Sequence, residues 1–309
     1  MTRSARTIPL FDHSARPNAG RMPPWIRASL AADLRYGRTS RQLERSTLHT
    51  VCEESRCPNR GECWSRGTAT FLLLGDVCTR ACGFCAVKTG RPAGVSDLEP
   101  LEVADVVEAM GLRYVVLTSV NRDDLPDGGA AQFARVIREL RRRDPAMGIE
   151  LLTPDFRRCQ ERAVQEIDRA AGAAAAAGIP RLVWGHNLET VPRLYRRVRK
   201  GSVYRRSLTL LERIARLDGV EAKSSLMLGL GERRDEVLQV MQDLRAAGVS
   251  RLVLGQYLRP TRYHLPVEEY VDPGRFSEYE REAKRVGFRW VKAGPLVRSS
   301  YHAEERQEK

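Results

Sequence analysis

The sequence predicts an α/β protein: a partial (β/α)6 barrel of the TIM type, with N-terminal and C-terminal extensions. Two observations carry this. Short apolar runs alternate with amphipathic segments six times between residues 70 and 290, a pattern that implies parallel strands joined by right-handed helical crossovers. Most of the polar motifs follow those runs directly, where such a barrel gathers its site residues.

The elements read in order as follows. Residues 71–74 form a buried strand, then come a cysteine-rich loop and a helix over about 97–110. Strands over 114–118, 149–152 and 182–184 alternate with helices over 130–143 and 157–177, the latter running into the Ala-rich stretch from Ala170 to Ala177. Helices follow around 191–198 and 208–217. A strand over 222–228, a helix over 235–247, a strand over 251–255 and a helix over 273–286 complete the set. The expected division is an N-terminal extension (1–45), a loop-rich metal-binding segment with three cysteines (46–69), which the resemblance given below makes the auxiliary iron–sulfur cluster segment, the barrel (70–290) and a C-terminal tail with the RSSY motif (291–309).

Composition bounds the function classes. The 309 residues suffice for one large domain or two modest ones, and 42% hydrophobic content allows a sizeable core. The most apolar stretch, residues 70–75, is far too short to span a bilayer, so no membrane role is expected. The N-terminal MTRSARTIPLFDHSARPNAG is basic and lacks the apolar region of a secretion signal. Transit peptides and disordered tails share its Arg/Ser-rich composition. The expectation is a soluble, cytoplasmic chain. The net charge is +13, and only six of the 52 basic residues are Lys. Such charge invites nucleic acid, anionic membrane or an acidic protein, while an Arg-rich coding bias gives the same number. The basic residues are scattered. The densest runs, 141–143 and 195–206, read as helix surfaces without a nucleic-acid motif, so no nucleic-acid partner is expected.

The seven cysteines point to metal. An odd number in an intracellular chain argues against a disulfide framework, and six of the seven fall between positions 52 and 85. Cys78, Cys82 and Cys85 follow the first strand with Cys-x3-Cys-x2-Cys spacing. Three thiolates on one tight loop suit three irons of a [4Fe–4S] cube and leave the fourth iron open for a substrate or cofactor. Zinc is the competitor, but a structural zinc wants four closed ligands, usually from Cys-x2-Cys pairs. Upstream, Cys52, Cys57 and Cys63 have Cys-x4-Cys-x5-Cys spacing and again suit a cube lacking one protein ligand. A loop zinc site completed by a distant His is the alternative. The five His are not at metal spacing, and Cys159 reads as a bystander.

At the first triplet, with Phe84 before its last cysteine, the chain resembles the radical S-adenosylmethionine superfamily. The resemblance implies that the open iron binds the amino and carboxylate groups of S-adenosyl-L-methionine. An electron from the cluster then cleaves the sulfonium, and the 5′-deoxyadenosyl radical abstracts hydrogen from an unactivated C–H bond.

A narrower resemblance is carried by TVCEESRCPNRGECW and GTATFLLLGDVCTRACGFCAV. It continues through TSVNRDDLPDGGA, LLTPDF, HNLETV, MLGLGE, GQYLRPT and GPLVRSSYHA, covering roughly residues 22–303. These blocks resemble the lipoyl synthase family. The resemblance implies insertion of two sulfur atoms at carbons 6 and 8 of a protein-bound octanoyl-lysine, with two S-adenosyl-L-methionine molecules cleaved. It implies two [4Fe–4S] clusters, the one on Cys52, Cys57 and Cys63 being the auxiliary sulfur source. The implied partners are octanoylated lipoyl domains or the glycine-cleavage carrier protein, commonly acidic, and an electron donor such as ferredoxin or flavodoxin. In the family the fourth auxiliary ligand is a serine of the RSSY motif, here Ser300, with Ser299 the alternative. Oxygen is a harder ligand than thiolate and a weaker one for such a cluster, which suits an iron that must leave as sulfur is consumed.

Other segments carry expectations too. By resemblance Ser119, Asn121 and Arg122 lie near the methionyl group of the cofactor; alternatively Asp123 and Asp124 cap the next turn and pair with Arg122. Asn187 and Glu189 are placed to hydrogen-bond cofactor or substrate, or to cap a helix. Lys223, pointing into a barrel, needs a carboxylate partner. Gly229 and Gly231 read as a tight turn rather than a phosphate cradle. Ser225 stands where the family usually has Gly, and the Ala-rich stretch is an insertion relative to the family.

Overall fold

The alternating pattern resolves into one mainly parallel sheet with helices packed against it. A computed structural model describes residues 22–26, 48–54, 57, 59–65, 69–172, 181–301 and 303. Most of the expected N-terminal extension, the Ala-rich residues 173–177 and the end of the tail lie outside the described residues.

The chain enters the sheet at β1 (His49–Thr50), followed by the short helices α1 (Val51–Glu54) and α2 (Arg60–Ser65). Strand β2 (Thr70–Leu73) comes next, then a small two-stranded pair, β3 (Val77–Cys78) and β4 (Lys88–Thr89), that brackets the cysteine loop. The repeating part follows: α3 (Glu99–Ala109), β5 (Tyr114–Ser119), α4 (Ala130–Arg143), β6 (Gly148–Leu152), α5 (Gln160–Ala171) and β7 (Leu182–Gly185). A 3-10 turn (Pro192–Leu194) leads into α6 (Tyr195–Val198), then α7 (Tyr204–Ala215), β8 (Val220–Leu228), α8 (Arg234–Ala246) and β9 (Arg251–Gln256). The chain closes with α9 (Pro273–Val286) and β10 (Trp290–Gly294).

The strand order is β1-β2-β5-β6-β7-β8-β9-β10. The six expected strands β2, β5, β6, β7, β8 and β9 are all parallel to their neighbours. The sheet extends further at each edge. β10 adds a seventh parallel strand beside β9, and β1 pairs antiparallel with β2. The ends β1 and β10 do not pair, so the barrel is open. The segment expected to be loop-rich therefore begins with a sheet edge, and the expected tail begins inside a strand.

Local sequence explains the packing. In α4, Phe133, Ala134, Val136, Ile137 and Leu140 recur at helical spacing and are buried, while Arg141, Arg142 and Arg143 sit in the last turn, where cations suit the helix dipole. Each large apolar side chain so buried contributes about 1.5–3 kcal/mol. Gly129 precedes α4 at φ 89°, a left-handed backbone that glycine adopts without strain, and it sits beside the Leu74 side chain just after β2. Lys223 finds its carboxylate: Nζ lies 2.7 Å from Glu150 Oε1, both groups being buried between β6 and β8. Ser225, at the family's glycine position, is an ordinary buried strand residue of β8. No helix among the described residues is long and apolar enough to cross a membrane.

Candidate active site

The C-terminal ends of the strands surround a cavity of about 320 Å3, within the size range of small-molecule sites. Cys78, Cys82 and Cys85 line it, and so do Cys52, Cys57, Ser299 and Ser300. Residues from both triplets and from the far C-terminus, distant in sequence, thus share one space. Cys63 lies on α2, packed against the core and outside the cavity wall.

The donor set, two groups of three thiols, has the soft chemistry that iron–sulfur clusters take. Tetrahedral zinc with bonds of about 2.3 Å would hold its sulfurs roughly 3.8 Å apart. Among the described residues neither triplet gathers its three sulfurs within 4.8 Å of one another. His49, Glu54 and Asp76 do converge, but Asp76 is engaged by Lys88 at 2.5 Å and Glu54 by His49 at 3.4 Å.

Burial controls the thiols. It pushes Cys82 up to about 11, against the opposing charge of Arg199, and Cys85 up to about 12. Burial also raises Cys57, opposed by the Arg298 charge. At neutral pH these are uncharged thiols until metal displaces their protons. Cys78 Sγ accepts from the backbone N–H groups of Arg80 (3.4 Å) and Asn121 (3.3 Å), contacts that would tune the potential of a cluster held there.

A buried ionic network holds the cysteine loop. Arg80, between Cys78 and Cys82, donates to Asp123 from Nε (2.6 Å) and Nη2 (2.7 Å), and to Asp155 from Nη2 (2.7 Å). Arg206 Nε donates to the other Asp155 oxygen at 2.8 Å. Burial alone would raise the Asp155 carboxyl, but the Arg80 hydrogen bond and charge overcome it and hold it at about 2. Next to this network His186 donates from Nδ1 to the Thr153 carbonyl (2.8 Å) and accepts from the Ser207 hydroxyl (2.9 Å). Burial, then the Arg199 charge, lower it to about 4, so it is neutral.

The tail reaches the segment of Cys52, Cys57 and Cys63 by direct contacts. Asn59 Nδ2 donates to the Leu296 carbonyl at 2.6 Å, and Tyr301 Oη donates to Glu62 at 3.0 Å. A Cβ on Gly255 would meet the Val297 carbonyl oxygen at 2.2 Å, so the tail lies directly on β9. These contacts bring Ser299 and Ser300 to the cavity that Cys52 and Cys57 share.

The expected cofactor contacts divide. Ser119, Asn121, Asn187 and Glu189 line the cavity; Arg122 does not. Its buried guanidinium turns to Asp124 (2.8 Å) and the Ala93 carbonyl (3.0 Å), which is the ion pair named as the alternative, while Asp123 goes to Arg80. Ser119 Oγ is buried without a hydrogen-bond partner among the described residues, as a group completed by a ligand would be. Asn187 Nδ2 donates to Glu189 Oε1 at 3.1 Å. Glu189 adopts φ 66°, a strained backbone for a non-glycine, and burial raises its carboxyl. No helix begins at Asn187 or Glu189. At the Gly229–Gly231 turn the Glu232 carboxylate accepts from both Gly229 N–H (2.6 Å) and Leu230 N–H (2.9 Å), so those amides serve a turn.

Sequence reasoning missed Arg80, Asp155 and Arg199. Arg199 lines the cavity, with Nη1 donating to the Asn187 carbonyl (2.7 Å) and its buried Nε unpartnered among the described residues. The 195–206 run is therefore not all helix surface: Arg199 is buried and Arg206 reaches Asp155. Arg80 carried a signal in its place between Cys78 and Cys82, and Asp155 in following a strand.

An open parallel barrel with three cysteines on the loop after its first strand defines a radical S-adenosylmethionine enzyme. Residues 72–244 match the Radical SAM superfamily. The fold is similar to that of Streptococcus suis SuiB bound to S-adenosylmethionine (TM-score 0.55, 11% identity, 77% of this chain and 54% of that one). It is also similar to methylornithine synthase (TM-score 0.52, 12% identity, 71% and 69%). Much nearer relatives are the lipoyl synthases of Thiobacillus denitrificans (51% identical over 93% of this chain and 89% of that one) and Methylococcus capsulatus (51% over 98% and 92%). The chain belongs to the lipoyl synthase family, whose enzymes insert sulfur into a protein-bound octanoyl group by radical S-adenosylmethionine chemistry.

Proposed function

We propose that this chain holds two [4Fe–4S] clusters, one on Cys78, Cys82 and Cys85 and an auxiliary one on Cys52, Cys57, Cys63 and Ser300, and takes the inserted sulfur from the second. The observation that carries this reading is the shared cavity: residues of both triplets and the tail serines line one space at the strand ends. When bound, the first cluster and S-adenosyl-L-methionine supply a radical able to take hydrogen from an unactivated C–H bond.

The chain's own residues do the rest. Arg80 fixes the cysteine loop against Asp123 and Asp155. Arg199 and Glu189 present opposite charges for the carboxylate and ammonium of an amino-acid cofactor, with Ser119, Asn121 and Asn187 as further hydrogen-bonding groups. Leu72, Leu226 and Met227 give the wall an apolar part suited to an alkyl chain and to excluding water. Residues 46–69 and 291–309 act as one auxiliary unit, joined by Asn59 and Tyr301. The substrates on this reading are octanoylated lipoyl domains or the glycine-cleavage carrier, with a low-potential donor such as ferredoxin or flavodoxin.

Anaerobic reconstitution tests it. The wild-type chain should take up about eight irons, and replacement of either triplet by Ala should leave about four. Loss of Cys78, Cys82 and Cys85 should abolish 5′-deoxyadenosine release. Loss of the other triplet should spare it and abolish only the thiolated product. A wild-type content of four irons would contradict the two-cluster assignment.

A further inference from the structure

The loop after β9 is fastened to the cysteine loop and carries a tip that the chemistry does not use. His264 donates from Nε2 to the Cys85 carbonyl at 3.0 Å, and the Leu265 N–H donates to the Gly83 carbonyl at 3.0 Å. A Cβ on Gly83 would meet Leu265 at 2.9 Å, so the two loops are in close contact. The Thr261 hydroxyl lies 2.9 Å from His264 Nδ1, and His264 N–H donates to the Thr261 carbonyl at 3.0 Å. Arg259 donates from Nε to the His264 carbonyl (2.9 Å) and from Nη2 to the Arg262 carbonyl. The tip is thus fixed by side chains of its own loop.

Leu258 and Pro260 of this loop line the cavity. A few residues on, Tyr263 stands 82% exposed, more than any other large hydrophobic side chain among the described residues. The Arg262 guanidinium lies 5.0 Å from its ring centroid and donates to its hydroxyl at 2.8 Å. Neither Arg259 nor Arg262 pairs with a carboxylate among the described residues; their guanidinium groups go to backbone carbonyls of the loop and to the Tyr263 hydroxyl.

We propose that Tyr263 and Arg262, supported by Arg259, form the docking contact for an acidic, folded carrier domain that presents the acylated lysine to the cavity. This rests on the function proposed above. The acyl group reaches the cavity attached to a folded domain, so that domain must contact the rim, and this loop is part of the rim. A rigidly presented Tyr–Arg pair has the composition of a protein-binding hot spot, and its fixed shape lowers the ordering cost of association. The unpaired guanidinium groups, on a chain of net charge +13, select a partner of opposite sign.

The test compares two substrates on the reconstituted enzyme: an octanoylated carrier domain and a short octanoyl-lysyl peptide too small to reach the tip. In the double variant Tyr263→Ala, Arg262→Ala, the Kd for the carrier should weaken tenfold or more and its kcat/KM should fall in step. Peptide turnover should stay within twofold of wild type. Raising ionic strength should weaken wild-type carrier binding more than that of the variant. Equal losses on both substrates, or unchanged carrier binding, would overturn the docking assignment. Wild-type enzyme that thiolates neither substrate would overturn the function on which it rests, and the docking assignment with it.

Discussion

Arg80 Nη2 and Asp155 Oδ1 lie 2.7 Å apart, and their side chains are 3% and 0% exposed. The pair ties the cysteine loop to the end of β6 across 75 residues of sequence. Removing one member of a buried pair strands the other's charge, at a cost of about 3 kcal/mol or more. Asp155→Asn should lower the urea-unfolding free energy by that amount, and Arg80→Gln should also reduce iron loading at the Cys78, Cys82 and Cys85 site. The Asp155 carboxyl is depressed from 3.8 to about 2, so its stabilisation is intact above pH 4 and is lost as pH falls towards 2. A variant of wild-type stability would show that the pair does not hold the loop.

His186 predicts a second pH dependence. Its folded value of about 4 lies below the ordinary 6.5, so the unfolded chain takes up the proton first as pH falls. Its contribution is complete above pH 6.5 and declines between 6.5 and 4, by at most about 1.4 kcal/mol per pH unit. Between pH 7 and 5 the wild type should lose about 2 kcal/mol more than His186→Gln. Parallel pH curves for the two proteins would mean that His186 is not held neutral.

On the two-cluster proposal, the tail serines act in sulfur transfer and not in radical generation. Replacing Ser299 and Ser300 together by Cys exchanges a hard, weak ligand for a soft, strong one. The variant should release 5′-deoxyadenosine at the wild-type rate while the thiolated product falls at least tenfold. Product formed at the wild-type rate would remove these serines from the account.

Arg199 offers a planar guanidinium at the cavity wall, its Nε unpartnered among the described residues. Lysine keeps the charge and loses the fork. Arg199→Lys should raise the dissociation constant for S-adenosyl-L-methionine about tenfold or more, since a hydrogen bond to a charged group contributes about 1.5–3 kcal/mol. Equilibrium binding to the reconstituted enzyme measures it, and an unchanged constant would place the cofactor's carboxylate elsewhere.

The barrel strands were legible because each is a short apolar run, and the six cysteines stood out as ligand candidates because their spacing is that of thiolate metal sites. β10 escaped notice because Trp290–Gly294 is half-buried and contains Lys292, which reads as a tail. β1 is only two residues long. The helix expected from residue 157 starts at Gln160, since Phe156 turns at φ 42° and delays it. Arg80 and Arg199 were hidden because a buried arginine looks like a surface one in composition; its partners, such as Asp155, come from other strands. The Asn59–Leu296 contact spans 237 residues and has no local signal.

The central claim is that one cavity joins a radical-generating triplet to a sulfur-giving one. The most direct test is the mass of an octanoyl-lysyl peptide after a single anaerobic turnover of enzyme whose clusters carry 34S-labelled sulfide, without other sulfide present. The account predicts a product heavier by two 34S atoms, less two hydrogens once the dithiol closes to a disulfide. An unlabelled dithiolated product, or a peptide that gains no sulfur while S-adenosyl-L-methionine is cleaved, would contradict it.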